Sequence, residues 1–155
     1  MIRKGQNHDF EKIMEIWLFT NQKAHNFIPE TYWMNHYDPV KAMLPYAELY
    51  IYEDDSTGEI EGFTGLTENE IAGIFVREQA QSKGIGTQLM DYVKSLRQSL
   101  TLHVYQKNKR AISFYQREAF VIQSEGLDND TGKKEFLMVW RKEGTHAAGI
   151  YRDQL

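Results

Sequence analysis

The sequence predicts an α/β domain built on one central, mixed but mostly antiparallel sheet, and three patterns carry that prediction. Three strand-like runs, ELYIYE, IEGFTGL and EIAGIFV, follow one another between residues 48 and 76 with short turns between them, which is an antiparallel meander. A β-α-β-α succession then runs from EIAGIFV to Phe120, and it requires a parallel pairing somewhere in the sheet. The chain closes on FVIQSE and EFLMVWR around a DNDTGKK turn, a hairpin.

Taken in order, Met1 to Lys4 is a short strand candidate. Asp9 is placed to cap a first helix of about three turns, in which Phe10, Ile13, Ile16 and Trp17 keep helical spacing. In AHNFIPETYWMNHYDPVKAML, Pro29 suits a first helical position, so a second helix begins there and is expected to be interrupted near Pro39. The meander follows from Ala47, with DDSTGE and TENE as its turns. Ile85, Leu89, Tyr92, Val93 and Leu96 recur at helical spacing; LTLHVY is a strand, NKRAISFYQREAF a helix, and the closing hairpin completes about seven strands and about four helices.

With 155 residues, 41% of them hydrophobic and 26% charged, the chain suits one soluble packed domain, taken as residues 1–142 with a tail over 143–155. The absence of cysteine excludes disulfides, thiolate metal sites and a covalent Cys nucleophile, and points to a reducing compartment, the cytoplasm. No metal is expected. No apolar run is long enough to span a bilayer, and MIRKGQNHDF lacks the apolar core of a signal peptide. A net charge of −4, with no basic stripe beyond QKNKR, argues against nucleic acid and favours a cationic or neutral partner. The residues do not fix the oligomeric state; a homodimer is one candidate.

The stretch REQAQSKGIGTQ, residues 77–88, joins a strand to a helix. Such a junction gathers unpaired N–H groups and the positive end of a helix dipole, which together attract phosphate. Gly84 and Gly86 permit close approach or positive φ, and Lys83 adds charge, although an ordinary glycine-bearing turn would look the same. The order Lys-Gly-Ile-Gly fits neither a nucleotide-triphosphate loop nor a dinucleotide fingerprint. Further on, Asn108 and Tyr115 lie seven residues apart on one helix, nearly on the same face. They form either a polar pair or simply an N-cap and a core aromatic.

Together these segments resemble the GNAT superfamily of acetyl-CoA-dependent N-acyltransferases. Gln81-Ser82-Lys83-Gly84-Ile85-Gly86 matches the family loop Gln/Arg-x-x-Gly-x-Gly/Ala, and Asn108-Lys109-Arg110-Ala111-Ile112-Ser113-Phe114-Tyr115, ending in Ala119-Phe120, matches its later signature. The chain departs from the pattern at Glu78, where proline is frequent, and at Ala119, where glycine is usual; Ala119 is expected to end its helix without needing glycine.

The resemblance implies a sheet splayed between two parallel strands, IAGIFV and LTLHVY, with acetyl-CoA between them. It implies that main-chain groups of Gln81, Ser82, Lys83, Gly84, Ile85, Gly86 and Thr87 hold the pyrophosphate, that the pantetheine arm pairs with Ile74 to Val76, and that Asn108 bonds the arm. An N–H near Ile74 would polarise the thioester carbonyl. Tyr115 is implied as the acid that protonates the leaving thiolate, and Glu70 as a candidate base that by alternation points with Ala72 and Ile74; a solvated strand end and a water chain are the alternatives for Glu70. His25 and Phe27, with Tyr32 and Trp33, stand where the family builds its acceptor wall, although packing or a buried helix face would equally account for them. His103 and Tyr105 lie on the second splayed strand. The implied activity is direct acetyl transfer to a primary amine, of a protein lysine, an N-terminus or a small molecule, without an acyl-enzyme. A non-catalytic acyl-CoA sensor on the same fold is the second reading, and a fold-only interaction protein the third.

Overall fold

Apolar residues recur along two stretches of the chain, one before and one after the middle of the third helical run. The computed structural model describes residues 1–143, so all but the first residue of the expected tail lies outside the described residues. The chain divides into two compact units, Met1–Met90 and a second that begins at Asp91.

In the first unit β1 (Ile2–Lys4), β2 (Glu48–Glu53), β3 (Ile60–Thr67) and β4 (Glu70–Val76) pair antiparallel in that order. The register puts Ile51 opposite Phe63 and Phe63 opposite Phe75, so these side chains share one face. That face packs on Ile13, Met14 and Ile16 of α1 (Phe10–Ala24), with Tyr37 and Val40 of α2 (Glu30–Met43) at its edge. On the other face, Ile74 and Val76 pack with Ala80, Ile85 and Leu89, the last two from the start of α3 (Ile85–Leu96). Burying an Ile or Leu side chain contributes about 1.5–3 kcal/mol, so these two anchors fix where α3 begins.

The second unit holds the rest of α3, then β5 (Ser99–Tyr105), α4 (Lys109–Arg117), β6 (Val121–Leu127) and β7 (Lys134–Arg141). β7 lies between β5 and β6 and is antiparallel to both. Leu100, Leu102 and Val104 alternate as buried residues on β5, and Met138 and Val139 are buried on β7. Seven strands and four α-helices among the described residues match the expected α/β class. No helix among them is long and apolar enough to cross a membrane, and no group of three or more His, Asp or Glu is placed to hold a metal.

Three local expectations are corrected. Asp9 does not cap α1 with its side chain: it is buried and accepts from the Gln6 N–H at 2.8 Å and from both terminal nitrogens of Arg3 at 2.9 and 3.0 Å. It closes the short 3₁₀ turn Asn7–Asp9 and ties it to β1, a use that pays for its burial through charge-assisted bonds. Pro29 stands just before α2 as its N-cap, not inside it. Pro39 lies within α2 without breaking it, because the one helical bond it removes would end on the carbonyl of Asn35, at an exposed position that water can satisfy.

Candidate functional site

The phosphate-loop candidate forms from its ends inward. Arg77 leaves β4 paired through its Nε with the buried carboxylate of Glu61 at 2.7 Å, and its N–H bonds the Glu61 carbonyl at 3.0 Å. The Gln81 side chain donates to the Val76 carbonyl at 2.9 Å, and Glu78 pairs with Lys23 of α1 at 2.6 Å, a tie that the proline frequent at this place would not supply. Ala80 and Ile85 are buried at the two ends, while Ser82, Lys83 and Gly84 between them are exposed.

Positive φ falls on Ser82 (65°) and Gly84 (84°), two residues apart. Gly86 is not in the loop: it lies in the first turn of α3, so its expected conformational role passes to Ser82. Gly84 accepts the Gln88 N–H at 3.1 Å through its carbonyl, which starts α3 and sets the positive end of its dipole at the loop. A Cβ built on Gly84 meets nothing within 4 Å, so glycine is favoured there by its φ and not by crowding, and the space beside it is open. Alternating backbone of this kind at the positive end of a helix is an anion cradle.

β4 carries an irregularity that alternation alone does not foresee. Leu66 pairs with Ile71 but Thr64 pairs with Ile74, so one extra residue is accommodated across Ala72-Gly73. Gly73 has φ 149°, and the Oγ1 of fully buried Thr64 donates to the Gly73 carbonyl at 2.8 Å. The bulge reverses the expected direction of Ile74. It faces with Ile71, towards α3, whereas Glu70 lies on the α1 side with Phe75. Glu70 itself is exposed.

The AHNFIP segment and the start of α2 form a connected aromatic group. His25 stacks on Trp33 with ring centroids 5.2 Å apart and meets Phe27 edge-on at 5.7 Å; Tyr32 meets Trp33 edge-on at 4.9 Å. Burial pushes the His25 imidazole down to about 4, against the opposing pull of the Asn21 main chain, so it is neutral at pH 7. Trp33 is buried and also meets Trp17 edge-on, which makes it the packed floor of the group. His25, Phe27 and Tyr32 retain partial exposure.

In the second unit, Asn108 is the N-cap of α4: its Oδ1 accepts the Ala111 N–H at 3.2 Å. Tyr115 is buried, meeting Phe114 at 5.5 Å and Phe120 at 5.9 Å between centroids. The helix ends in a six-to-one turn, with the Phe120 N–H on the Tyr115 carbonyl at 2.9 Å and the Ala119 N–H on the Gln116 carbonyl at 3.1 Å. Ala119 holds φ 73° there. The expectation that this end would not need a glycine conformation is therefore corrected: the residue is alanine, but the left-handed turn is the one glycine favours, and it lays Phe120 against Tyr115. His103 and Tyr105 share the face of β5 opposite Leu102 and Val104, and Tyr105 donates to Asp128 at 2.5 Å.

Residues 45–122 match the family model described as "Acetyltransferase (GNAT) domain". Peptidyl-lysine N-acetyltransferase YiaC of Escherichia coli (strain K12) is 36% identical over 142 residues, spanning 90% of this chain and 96% of its own. The chain belongs to the GNAT acetyltransferases. Its fold agrees: the solution structure of apo-form YjaB from Escherichia coli superposes with a TM-score of 0.80 at 22% identity, covering 90% of this chain and 96% of that one. An aminoglycoside 6'-N-acetyltransferase solved in complex with coenzyme A superposes at 0.70 with 12% identity, covering 91% and 96%. As a GNAT acetyltransferase the chain transfers an acetyl group to an amine. Sequence reasoning missed Thr64, Glu61 and Arg77 as supports of the acetyltransferase's loop and bulge; the signals were a threonine and a glutamate inside an otherwise apolar, buried strand.

Proposed function

We propose that the chain acetylates lysine side chains of a protein or peptide, taking the acetyl group directly from acetyl-CoA in a ternary complex. The observation that carries the cofactor half is the loop with positive φ at Ser82 and Gly84 leading into the N-terminus of α3. The acceptor half is supported by the 36% identity to an enzyme named for peptidyl-lysine. The catalytic domain is taken as residues 1–142, and the lack of cysteine supports work in the cytoplasm.

In this reading the N–H groups of residues 81–87 hold the pyrophosphate, and Ile74 to Val76 pair with the pantetheine arm. Because the Asn108 Oδ1 is engaged in capping, its contact with the arm falls to the Nδ2 end. His25, Phe27 and Tyr32 wall the acceptor over Trp33, offering ring faces to the aliphatic stem and the cation. A lysine ammonium has a pKa of about 10.4, so it must lose a proton before attack. Glu70, directly or through water, takes that proton. The amine nitrogen bonds the acetyl carbon, the carbon–sulfur bond breaks, Tyr115 gives its phenolic proton to the departing thiolate, and the second proton lost from the new amide nitrogen restores the Tyr115 phenol, directly or through water. A backbone N–H at the bulge near Ile74 polarises the carbonyl.

Thiol release from acetyl-CoA over a panel of lysine peptides and polyamines tests this. Tyr115→Phe should lower kcat about 100-fold with the acetyl-CoA KM held, and Gly84→Glu should abolish thermal protection by CoA. Turnover confined to polyamines would overturn the acceptor assignment. Wild-type kcat in Tyr115→Phe would overturn the acid.

A further inference from the structure

Lys94 occupies a costly place. It lies in the last turn of α3, its side chain is 17% exposed, and an ammonium loses hydration there that an apolar side chain would not. What it meets accounts for its presence. Its Nζ donates to the Glu118 carbonyl at 2.5 Å, lies 3.6 Å from the Glu118 carboxylate, and sits over the rings of Phe120 at 5.9 Å and Trp140 at 5.3 Å. Glu118 is the C-cap of α4, where the helix dipole ends negative and carbonyls lack helical partners. Lys94 therefore supplies the cation that this end requires.

The same turn carries Tyr115. Its carbonyl accepts the N–H groups of Glu118 at 3.1 Å and Phe120 at 2.9 Å, and the Phe120 ring rests against its own. The turn also contains Ala119 at φ 73°, a conformation that alanine resists by about 1–2 kcal/mol, so an outside hold on the turn is physically useful. Lys94 thus meets the turn on both sides of the left-handed Ala119, at the Glu118 carbonyl and at the ring of Phe120, and it is Phe120 that rests against the Tyr115 ring.

We propose that Lys94 is a positioning residue for acetyl transfer, holding the C-terminal turn of α4 so that the Tyr115 phenol is correctly placed. The inference rests on the assignment of Tyr115 as the acid. A misplacement of about 1 Å in a reacting group can cost up to 100-fold, so a loss of about tenfold is expected from losing one of several holds.

The experiment compares Lys94→Met, which keeps the stem and removes the charge, in wild-type and Tyr115→Phe backgrounds, by thiol release from acetyl-CoA. Expected is a kcat about tenfold lower in the wild-type background, an acetyl-CoA KM within about twofold of wild type, and no further loss in the Tyr115→Phe background. Lys94→Arg should recover most of the activity. An equal loss in both backgrounds, or a loss appearing only in KM, overturns the positioning role while leaving the acid assignment standing. Tyr115→Phe with wild-type kcat overturns both, and is recognised before Lys94 is altered. Should Lys94→Met not fold, Lys94→Gln, which also removes the charge, carries the comparison: a kcat deficit present only when Tyr115 is intact supports the role, and no deficit, or one independent of Tyr115, refutes it.

Discussion

Ala119 shows how a single residue can match a signature in position and still conceal its conformation. Its φ of 73° costs an alanine about 1 kcal/mol or more, yet the turn it makes seals Phe120 onto Tyr115. Ala119→Gly should therefore raise the unfolding free energy by about 0.5–1 kcal/mol, net of the extra freedom glycine gains in the unfolded chain. Urea denaturation would register it as a higher midpoint at unchanged slope; a lower midpoint would show the turn to be unstrained. The identities of Asn108, Tyr115 and Gly84 were legible because residue type and spacing carry them. Their settings were not, since the buried threonine under Gly73 and the lysine at Glu118 arrive from 9 and 24 residues away.

At the scale of elements, periodicity located the strands to within a residue or two, because each alternates or runs apolar between turns rich in Asp, Thr and Gly. It erred where a local rule met a tertiary exception. Pro39 is such a case, since a helix carried by its packed face, including Tyr37 and Val40, tolerates one missing bond on its wet side. Pro39→Ala should restore that bond and stabilise the chain by about 1–3 kcal/mol, read by thermal and urea unfolding, with kcat unchanged. Loss of stability would mean that the proline sets the course of α2. The bulge in β4 is the second case. Counting every other residue sends Ile74 the wrong way, and only the pairing of Thr64 with Ile74 corrects it.

For the molecule as a whole, acid sensitivity follows from groups whose protonation folding opposes. The folded His25 titrates near 4 because it is buried, whereas an unfolded histidine titrates near 6.5. Between those values the unfolded chain binds a proton that the folded one does not, so stability falls as pH drops from about 6.5 towards 4, by up to about 3 kcal/mol. Asp9 adds a second loss at lower pH: burial alone would raise its carboxyl, but the bonds from Arg3 and Gln6 win and hold it below the usual range, a stabilisation lost on protonation. His25→Phe, which keeps a ring against Trp33, should flatten the decline between pH 6.5 and 4.5 in urea titrations; an unchanged slope would remove His25 as its source. The sequence by itself determined the fold class, the order of the elements, the glycine loop between β4 and α3 and the acetyltransferase signature, because these depend on periodicity and on residue types at short spacing. Tertiary structure alone decided that His25 is neutral, that Glu70 and Ile74 face opposite ways, and that Lys94 grips the turn beside Tyr115. Burial, register and long-range charge contacts arise only when distant segments meet, and no local pattern in the chain encodes them.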